Sequence, residues 1–276
     1  MRFGLSLINS WPACVTVEMA VVAEEAGWDG FFLWDHLTFP YPSVPMEDPW
    51  VLLGAAAART SRIRLGTLVT PLPRRRPQVV AKQLTTLDNL SRGRAVLGVG
   101  LGGDPGDFTH FGEDARSIVR AKKLDEALDV ITRLWSGESV DHKGEHYTVE
   151  VATLLPTPVQ KPRIPIYVGG DKAGALRRAA RYDGWVPGGS APAAGFDGLS
   201  LKTVKASVGK IKLMRTAHTP FEVLYTVDFP GDKRGRKRLI SDAADAGVTW
   251  LIENVYGLRH TTEKALSIIK KGPPKP

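Results

Sequence analysis

Short runs of β-branched and aromatic residues ending in Gly, Asp or Pro alternate with longer segments of helical period along the whole chain. FGLSL (3–7) precedes a helix predicted over 16–25, with Gly27 as its C-cap, and GFFLWD (30–35) follows. A helix over 49–58 leads to IRLGTLVT (63–70), and one over 77–90 leads to AVLGVGLG (95–102); each opens with proline, which suits the first helical turn. The longest predicted helix, 116–135, places Leu124, Leu128, Ile131 and Trp135 on one face. Residues 136–165 read as a hairpin excursion closed by prolines. The alternation then resumes with IPIYVGG (164–170), a helix over 172–182, GWVPGG (184–189), a helix over 201–215 and FEVLYTVD (221–228). A helix over 236–246, TWLIENV (249–255) and a closing helix over 261–270 complete eight strand-helix units.

Eight such units without a shift in composition predict an α/β fold, a (β/α)8 TIM barrel, as one domain over 1–276 with the hairpin after the fourth unit. An open sheet of the same elements is the alternative, because periodicity does not show closure. Hydrophobic residues make up 43% of the 276 positions, enough for a large core without metal or disulfide support, and a single cysteine, Cys14, excludes an intrachain disulfide. MRFGLSL enters a strand with no apolar leader, and no stretch reaches the length of a membrane span, so a cytoplasmic protein without membrane partners is expected. The net charge of +8 collects in Arg74-Arg75-Arg76, KRGRKR (233–238) and the C-terminal tail. Lacking aromatics interleaved on a basic stripe, these clusters read as solvated surface rather than a nucleic-acid site.

Gly98, Gly100 and Gly103 have the G-x-G-x-x-G spacing of a dinucleotide-binding turn. That fingerprint belongs to a first βα unit, opens a helix and is followed by an acid at the end of the next strand. Here the strand is the fourth, Asp104-Pro105-Gly106 follows the last glycine, and Asp125 and Glu126 fall inside the long helix. Bare backbone at a barrel mouth, against which a large flat ligand lies, is the alternative physical use for Gly100, Gly102 and Gly103.

In a barrel, the carboxyl ends of the strands form the functional face. Trp34-Asp35-His36 ends the second strand and Thr67-Leu68-Val69-Thr70 the third; Asp104 and Asp107 follow the fourth and Glu253-Asn254 the eighth. Gly169-Gly170 and Gly188-Gly189 end the fifth and sixth, the former just before a helix N-terminus that attracts phosphate; ordinary strain-relieving βα turns remain the alternative. No histidine or acid pattern has a metal-ligand spacing, and no G-x-S-x-G elbow appears, so neither a metal nor covalent catalysis is expected.

The run RIRLGTLVTPLPRRRPQVVAKQLTTLDNLSRGRAVLGVGLGG resembles the third-to-fourth-strand region of the luciferase-like oxidoreductases. WDH, LDEALDVITRLWSGE with HYTV, PVQKPRIPIYVGG with LRRAARYDGW, and AGVTWLIEN extend the resemblance over most of the chain. It implies a barrel that binds coenzyme F420 or FMN at its mouth, a non-proline cis peptide at Leu68-Val69 propping the ring beside Thr67, and a phosphate site at Gly169, Gly170, Gly188 and Gly189. The pair Asp35-His36 is similar to that of deazaflavin users. It favours F420, with FMN as the alternative, and gives His36 the role of acid, base or stabiliser, with Asp35 orienting it.

Two departures bear on the substrate. Members that oxidise sugar phosphates carry a glutamate where this chain has Gly103 beside Asp104, and a tryptophan shortly after the histidine where it reads Leu37 to Tyr41. The resemblance therefore implies an oxidoreductase exchanging hydride with some other small organic substrate. An FMN-dependent monooxygenase with a pocket lined by Trp11, Trp34 and Phe39 is the runner-up, and a non-catalytic cofactor-binding barrel the third reading. Arg74, Arg75 and Arg76 are expected to meet the anionic tail of the deazaflavin or to stand solvated. Asp104 and Glu253 are candidates for the substrate side, residues 139–163 and 190–200 are expected to shape its opening, and similar proteins raise the expectation of a homodimer.

Overall fold

Two faces alternate along every barrel strand, and they divide the core into two layers. The computed structural model describes residues 1–38, 44–188, 199–256 and 259–274. Its elements in chain order are β1 (Arg2–Leu7), α1 (Ala13–Glu25), β2 (Gly30–Leu33), α2 (Pro49–Arg59), β3 (Arg64–Pro71), α3 (Pro77–Ser91), β4 (Ala95–Gly100) and α4 (Ser117–Leu134). Then come β5 (Val140–Lys143), β6 (Thr148–Ala152), β7 (Ile166–Gly169), α5 (Ala173–Ala179), β8 (Gly184–Val186), α6 (Leu201–Met214), β9 (Glu222–Val227), α7 (Lys233–Asp245), β10 (Trp250–Val255) and α8 (Thr262–Lys270). Eight parallel strands close a barrel in the order β1, β10, β9, β8, β7, β4, β3, β2, with β1 pairing β2 to complete the ring. The open-sheet alternative is thereby excluded.

Inward side chains Phe32, Leu68, Val96, Tyr167, Val186, Leu224, Trp250 and Ile252 fill the barrel as one cluster. Outward neighbours such as Leu5, Phe31, Leu65, Leu97, Val168 and Leu251 join the helices in the larger cluster. Burying each such side chain contributes about 1.5–3 kcal/mol, so closure and helix docking draw on the same strands from opposite sides. Caps set several helix starts. The Asp48 carboxylate accepts from the backbone N–H of Trp50 at 2.9 Å ahead of Pro49, and Asp232 accepts from Gly235 at 2.8 Å. The second cap starts α7 at Lys233, three residues earlier than the apolar period predicts, and makes KRGRKR its first turns.

The hairpin is present as antiparallel β5 and β6, but its location corrects the expectation that 139–163 shapes the substrate opening. Glu126 on α4 accepts from the backbone N–H of His146 at 3.0 Å and of Tyr147 at 2.8 Å and pairs with the His142 ring at 3.1 Å. Further on, Gln160 is tied to Asp88 at 2.7 Å and to the Ala95 carbonyl at 2.8 Å. Ala95 is the first residue of β4, so the excursion lies against α3, α4 and the amino end of the barrel, away from the mouth.

Candidate active site at the barrel mouth

Strand alternation separates the two residues of the Asp35-His36 pair. Phe32 points into the barrel, so Trp34 and His36 follow it inward, whereas Asp35 turns outward with Leu33. Asp35 is only 1% exposed, and its carboxylate accepts from the Thr70 hydroxyl at 2.9 Å and from Arg74 Nη2 and Arg75 Nη2, each at 2.6 Å. Arg74 Nη2 also donates to the Asp35 carbonyl at 2.8 Å. The expectation that Asp35 orients His36 is therefore corrected: no bond joins their side chains, and the acid neutralises two guanidiniums behind the strand ends.

The same geometry corrects the solvated arginine cluster. Side-chain exposure is 5% for Arg74 and 15% for Arg75, which leaves Arg76, the residue preceding α3, as the exposed member. Thr67 too lies behind the strand, fully buried, its hydroxyl 2.9 Å from that of Thr70. Its side chain supports Asp35 through Thr70 and does not face the mouth.

His36 takes its partner from the loop after β4. Its Nδ1 lies 2.8 Å from Asp107 Oδ2, and the same carboxylate accepts from the backbone N–H of Leu37 and of Gly103, each at 3.0 Å. Burial pushes the Asp107 carboxyl up, but the hydrogen bond and charge of His36 and the two backbone donors outweigh it and hold the group below its ordinary value. An ionised Asp107 requires a proton on Nδ1, which makes Nε2 the acceptor of the neutral ring. Asp107 is the residue that sequence reasoning left without a role. Its only signal was an acid four residues beyond the glycine turn.

Asp104 does not replace the absent glutamate. It is exposed and tied to its own loop, accepting from the Thr109 hydroxyl at 2.6 Å and backbone N–H at 3.1 Å; these bonds, led by the hydroxyl, lower its pKa. Space beside His36 opens instead at Gly103, where an added Cβ meets His36 Cε1 only at 3.7 Å. Gly102 differs: φ is +81°, and a Cβ falls 2.5 Å from Pro71 and 2.8 Å from Phe108. Arg120 of α4 donates to the Gly102 carbonyl at 3.0 Å and lies over the Phe108 ring, which pins the turn.

The arc formed by β3, β4, β7 and β8 presents backbone. The Leu68-Val69 peptide is cis, as the resemblance implied. A Cβ on Gly100 falls 2.6 Å from Val69, and one on Gly169 lies 3.1 Å from it. Gly170 and Gly188 have φ of +115° and +122°, and nothing lies within 4 Å of a Cβ built on Gly188. Trp185 Nε1 donates to the Gly170 carbonyl at 2.6 Å and fixes the end of β7 against β8. Gly189 and Phe39 lie outside the described residues, as does most of 190–200.

The opposite arc presents side chains. Trp34 donates from Nε1 to Ser6 at 3.0 Å, and its ring lies 5.7 Å from that of His36 and 5.6 Å from that of Tyr256. Asn254 follows Trp250 and Ile252 inward and donates to Asp228 at 3.3 Å; Asp228 also accepts from Arg259 at 2.9 Å. Glu253 turns outward and accepts from the backbone N–H of Phe229 at 2.8 Å, beneath the β9–α7 loop, so it is removed from the substrate side. Burial and the neighbouring Asp228 push its carboxyl up to about 7. Cys14 is exposed. Among the described residues no group of His, Cys, Asp and Glu is arranged to hold a metal ion, and no helix is long and apolar enough to cross a membrane.

The family model for luciferase-like monooxygenases matches residues 12–199. An uncharacterised protein of Mycobacterium bovis is 32% identical over 259 residues, covering 86% of this chain and 83% of that protein. An F420-dependent glucose-6-phosphate dehydrogenase of Microbacterium testaceum is 41% identical over 170 residues, covering 60% of this chain; the match spans 49% of that relative, about half its length. Among solved structures, a monooxygenase from Streptomyces bottropensis superposes with a TM-score of 0.82 at 20% identity, over 98% of this chain and 97% of that one. The coenzyme F420 dependent tetrahydromethanopterin reductase from Methanopyrus kandleri gives 0.78 at 19%, with the same coverages. At those identities the structures bear on the fold alone.

Proposed function

The chain belongs to the luciferase-like monooxygenase family and is an oxidoreductase of that class; on this premise we propose that it exchanges hydride between coenzyme F420 and a small organic substrate, with His36 handling the proton. The observation that carries the reading is the His36–Asp107 pair at the mouth, facing the Val69 ridge packed on Gly100 and Gly169 and the open backbone at Gly188. That arc fits the coenzyme: Val69, seated on Gly100 and Gly169, forms a small apolar ridge on which a ring would rest, and the space over Gly188 is open. Leu68, Val69, Gly102 and Gly103 would border the ring, and Gly169, Gly170 and Gly188 its phosphate. Exposed Arg76 remains as the cation for an anionic tail.

When bound, the deazaflavin supplies the hydride donor or acceptor. The protein's own part is proton handling and exclusion of water. Asp107 holds the imidazole by Nδ1, so Nε2 takes the substrate proton or returns it. Trp34 and Tyr256 wall the site on the other arc, whereas Trp11 is buried in the outer cluster against the helices. The F420-dependent relative of Microbacterium testaceum named above supports F420 as the coenzyme. Glucose 6-phosphate is not the substrate we propose, because Gly103 stands where members that oxidise sugar phosphates carry a glutamate. The same aromatic wall favours, as a second reading, an FMN monooxygenase that needs a dry pocket. The test is His36→Ala in a coenzyme-reduction assay over a panel of alcohols. A fall in kcat of about 10²–10⁴ with coenzyme affinity retained supports the reading, and unchanged kcat refutes it.

A further inference from the structure

Asp35 and Asp107 both lie against one buried guanidinium, that of Arg74. Arg74, 5% exposed, donates from Nη2 to Asp35 Oδ1 at 2.6 Å, while its Nε lies 3.7 Å from Asp107 Oδ1. That Nε has no hydrogen-bond partner, so its tie to Asp107 is one of charge. Asp107 in turn holds His36 through its other oxygen. The charged groups around this line come from every element that packs on it: Asp35 and His36 after β2, Asp48 before α2, Arg74 and Arg75 after β3, and Asp107 after β4. Asp48, half exposed and 3.7 Å from Arg75, is the outlying member. The four inner charges, two acidic and two basic, cancel when His36 is neutral.

We propose that Arg74 is a positioning residue that acts on His36 through Asp107, keeping the carboxylate ionised and the imidazole in its Nδ1–H tautomer. The inference rests on the proposed role of His36. Physically, a guanidinium next to Asp107 favours its charged form, and an ionised Asp107 demands the proton on the near nitrogen. Arg74 also balances the local charge. Removing it leaves one uncompensated negative charge beside the ring, which favours the imidazolium and withdraws the neutral base at a given pH. Asp35 thus reaches the histidine indirectly, by holding the arginine that holds its partner.

The test compares Arg74→Met, Arg74→Lys and the double variant Asp35→Asn with Arg74→Met. A purely structural clamp loses thermal stability in both single variants and leaves the pH profile alone. The proposal expects the acid limb of the kcat profile to move up by about one pH unit in Arg74→Met, to stay in place in Arg74→Lys, and to return in the double variant, which restores the charge balance. Imidazole ¹⁵N shifts of the coenzyme-free protein, assigned with His36→Gln, give a readout independent of turnover. They are expected to show the neutral Nδ1–H form in the parent and a larger imidazolium fraction at the same pH in Arg74→Met. An unmoved limb and an unchanged imidazolium fraction in Arg74→Met overturn the proposal. If turnover is absent in every form, the function proposed above fails, and the imidazole measurement still decides the role of Arg74.

Discussion

Replacing Asp35 by alanine separates a structural acid from a catalytic one. The carboxylate is 1% exposed and neutralises Arg74 and Arg75, whose side chains are 5% and 15% exposed. Deleting it leaves two guanidiniums 2.6 Å from a vanished oxygen and facing each other in a site closed to water. Removing one partner of a buried ion pair costs about 3–5 kcal/mol, because the remaining charge stays desolvated. The unfolding entropy of a 276-residue chain is roughly 0.6 kcal/mol/K, so the midpoint should fall by about 5–8 °C. Scanning calorimetry measures this directly. Replacing Arg75 by methionine in the Asp35→Ala background should recover part of the loss, since the remaining guanidinium of Arg74 is then balanced by Asp107. Asp35→Ala with an unchanged midpoint and abolished turnover would refute the clamp and return Asp35 to the chemistry.

Three further outcomes follow from the geometry. Glu253 is raised from 4.5 to about 7 when folded, so its favourable contribution is full below pH 4.5 and is lost as pH rises through 7. Glu253→Gln should therefore gain up to about 3 kcal/mol over the parent at pH 8 and little at pH 4 in urea titrations; an equal difference at both pH values contradicts the assignment. Arg94, buried, donates to the carbonyls of Ala57, Thr60, Ile63 and Ser91 at 2.7–3.1 Å, and lysine cannot serve that fork, so Arg94→Lys should cost roughly 2–4 kcal/mol by the same measurement. Gly102→Ala should lower the melting temperature by several degrees while Gly103→Ala leaves it within about one degree; equal losses would mean that the left-handed φ and the contact with Pro71 do not govern the turn.

Periodicity made the barrel legible, because eight repeats of a period-2 run followed by a period-3.6 run leave few ways to bury every apolar face. Local chemistry was less legible for reasons that particular residues show. Asp35 and His36 are adjacent in sequence, which invites pairing, yet a strand end sends neighbours to opposite faces. Counting by two from Trp250 identifies Asn254 as the inward residue and Glu253 as the outward one. Arg74 and Arg75 belong to a charge run that reads as surface, and no local signal marks them as buried, since their counterion comes from another unit of the barrel. Asp107 sits in an aperiodic loop and meets His36 across 71 residues, a contact set by closure rather than by spacing.

The central claim is that the mouth holds a deazaflavin opposite His36, and fluorescence titration of the purified protein with coenzyme F420 and, separately, with FMN tests it most directly. Saturable binding of F420 that weakens when a side chain fills Gly188, with no comparable binding of FMN, is the predicted result. Binding of FMN without binding of F420 would contradict the account and point to the monooxygenase instead.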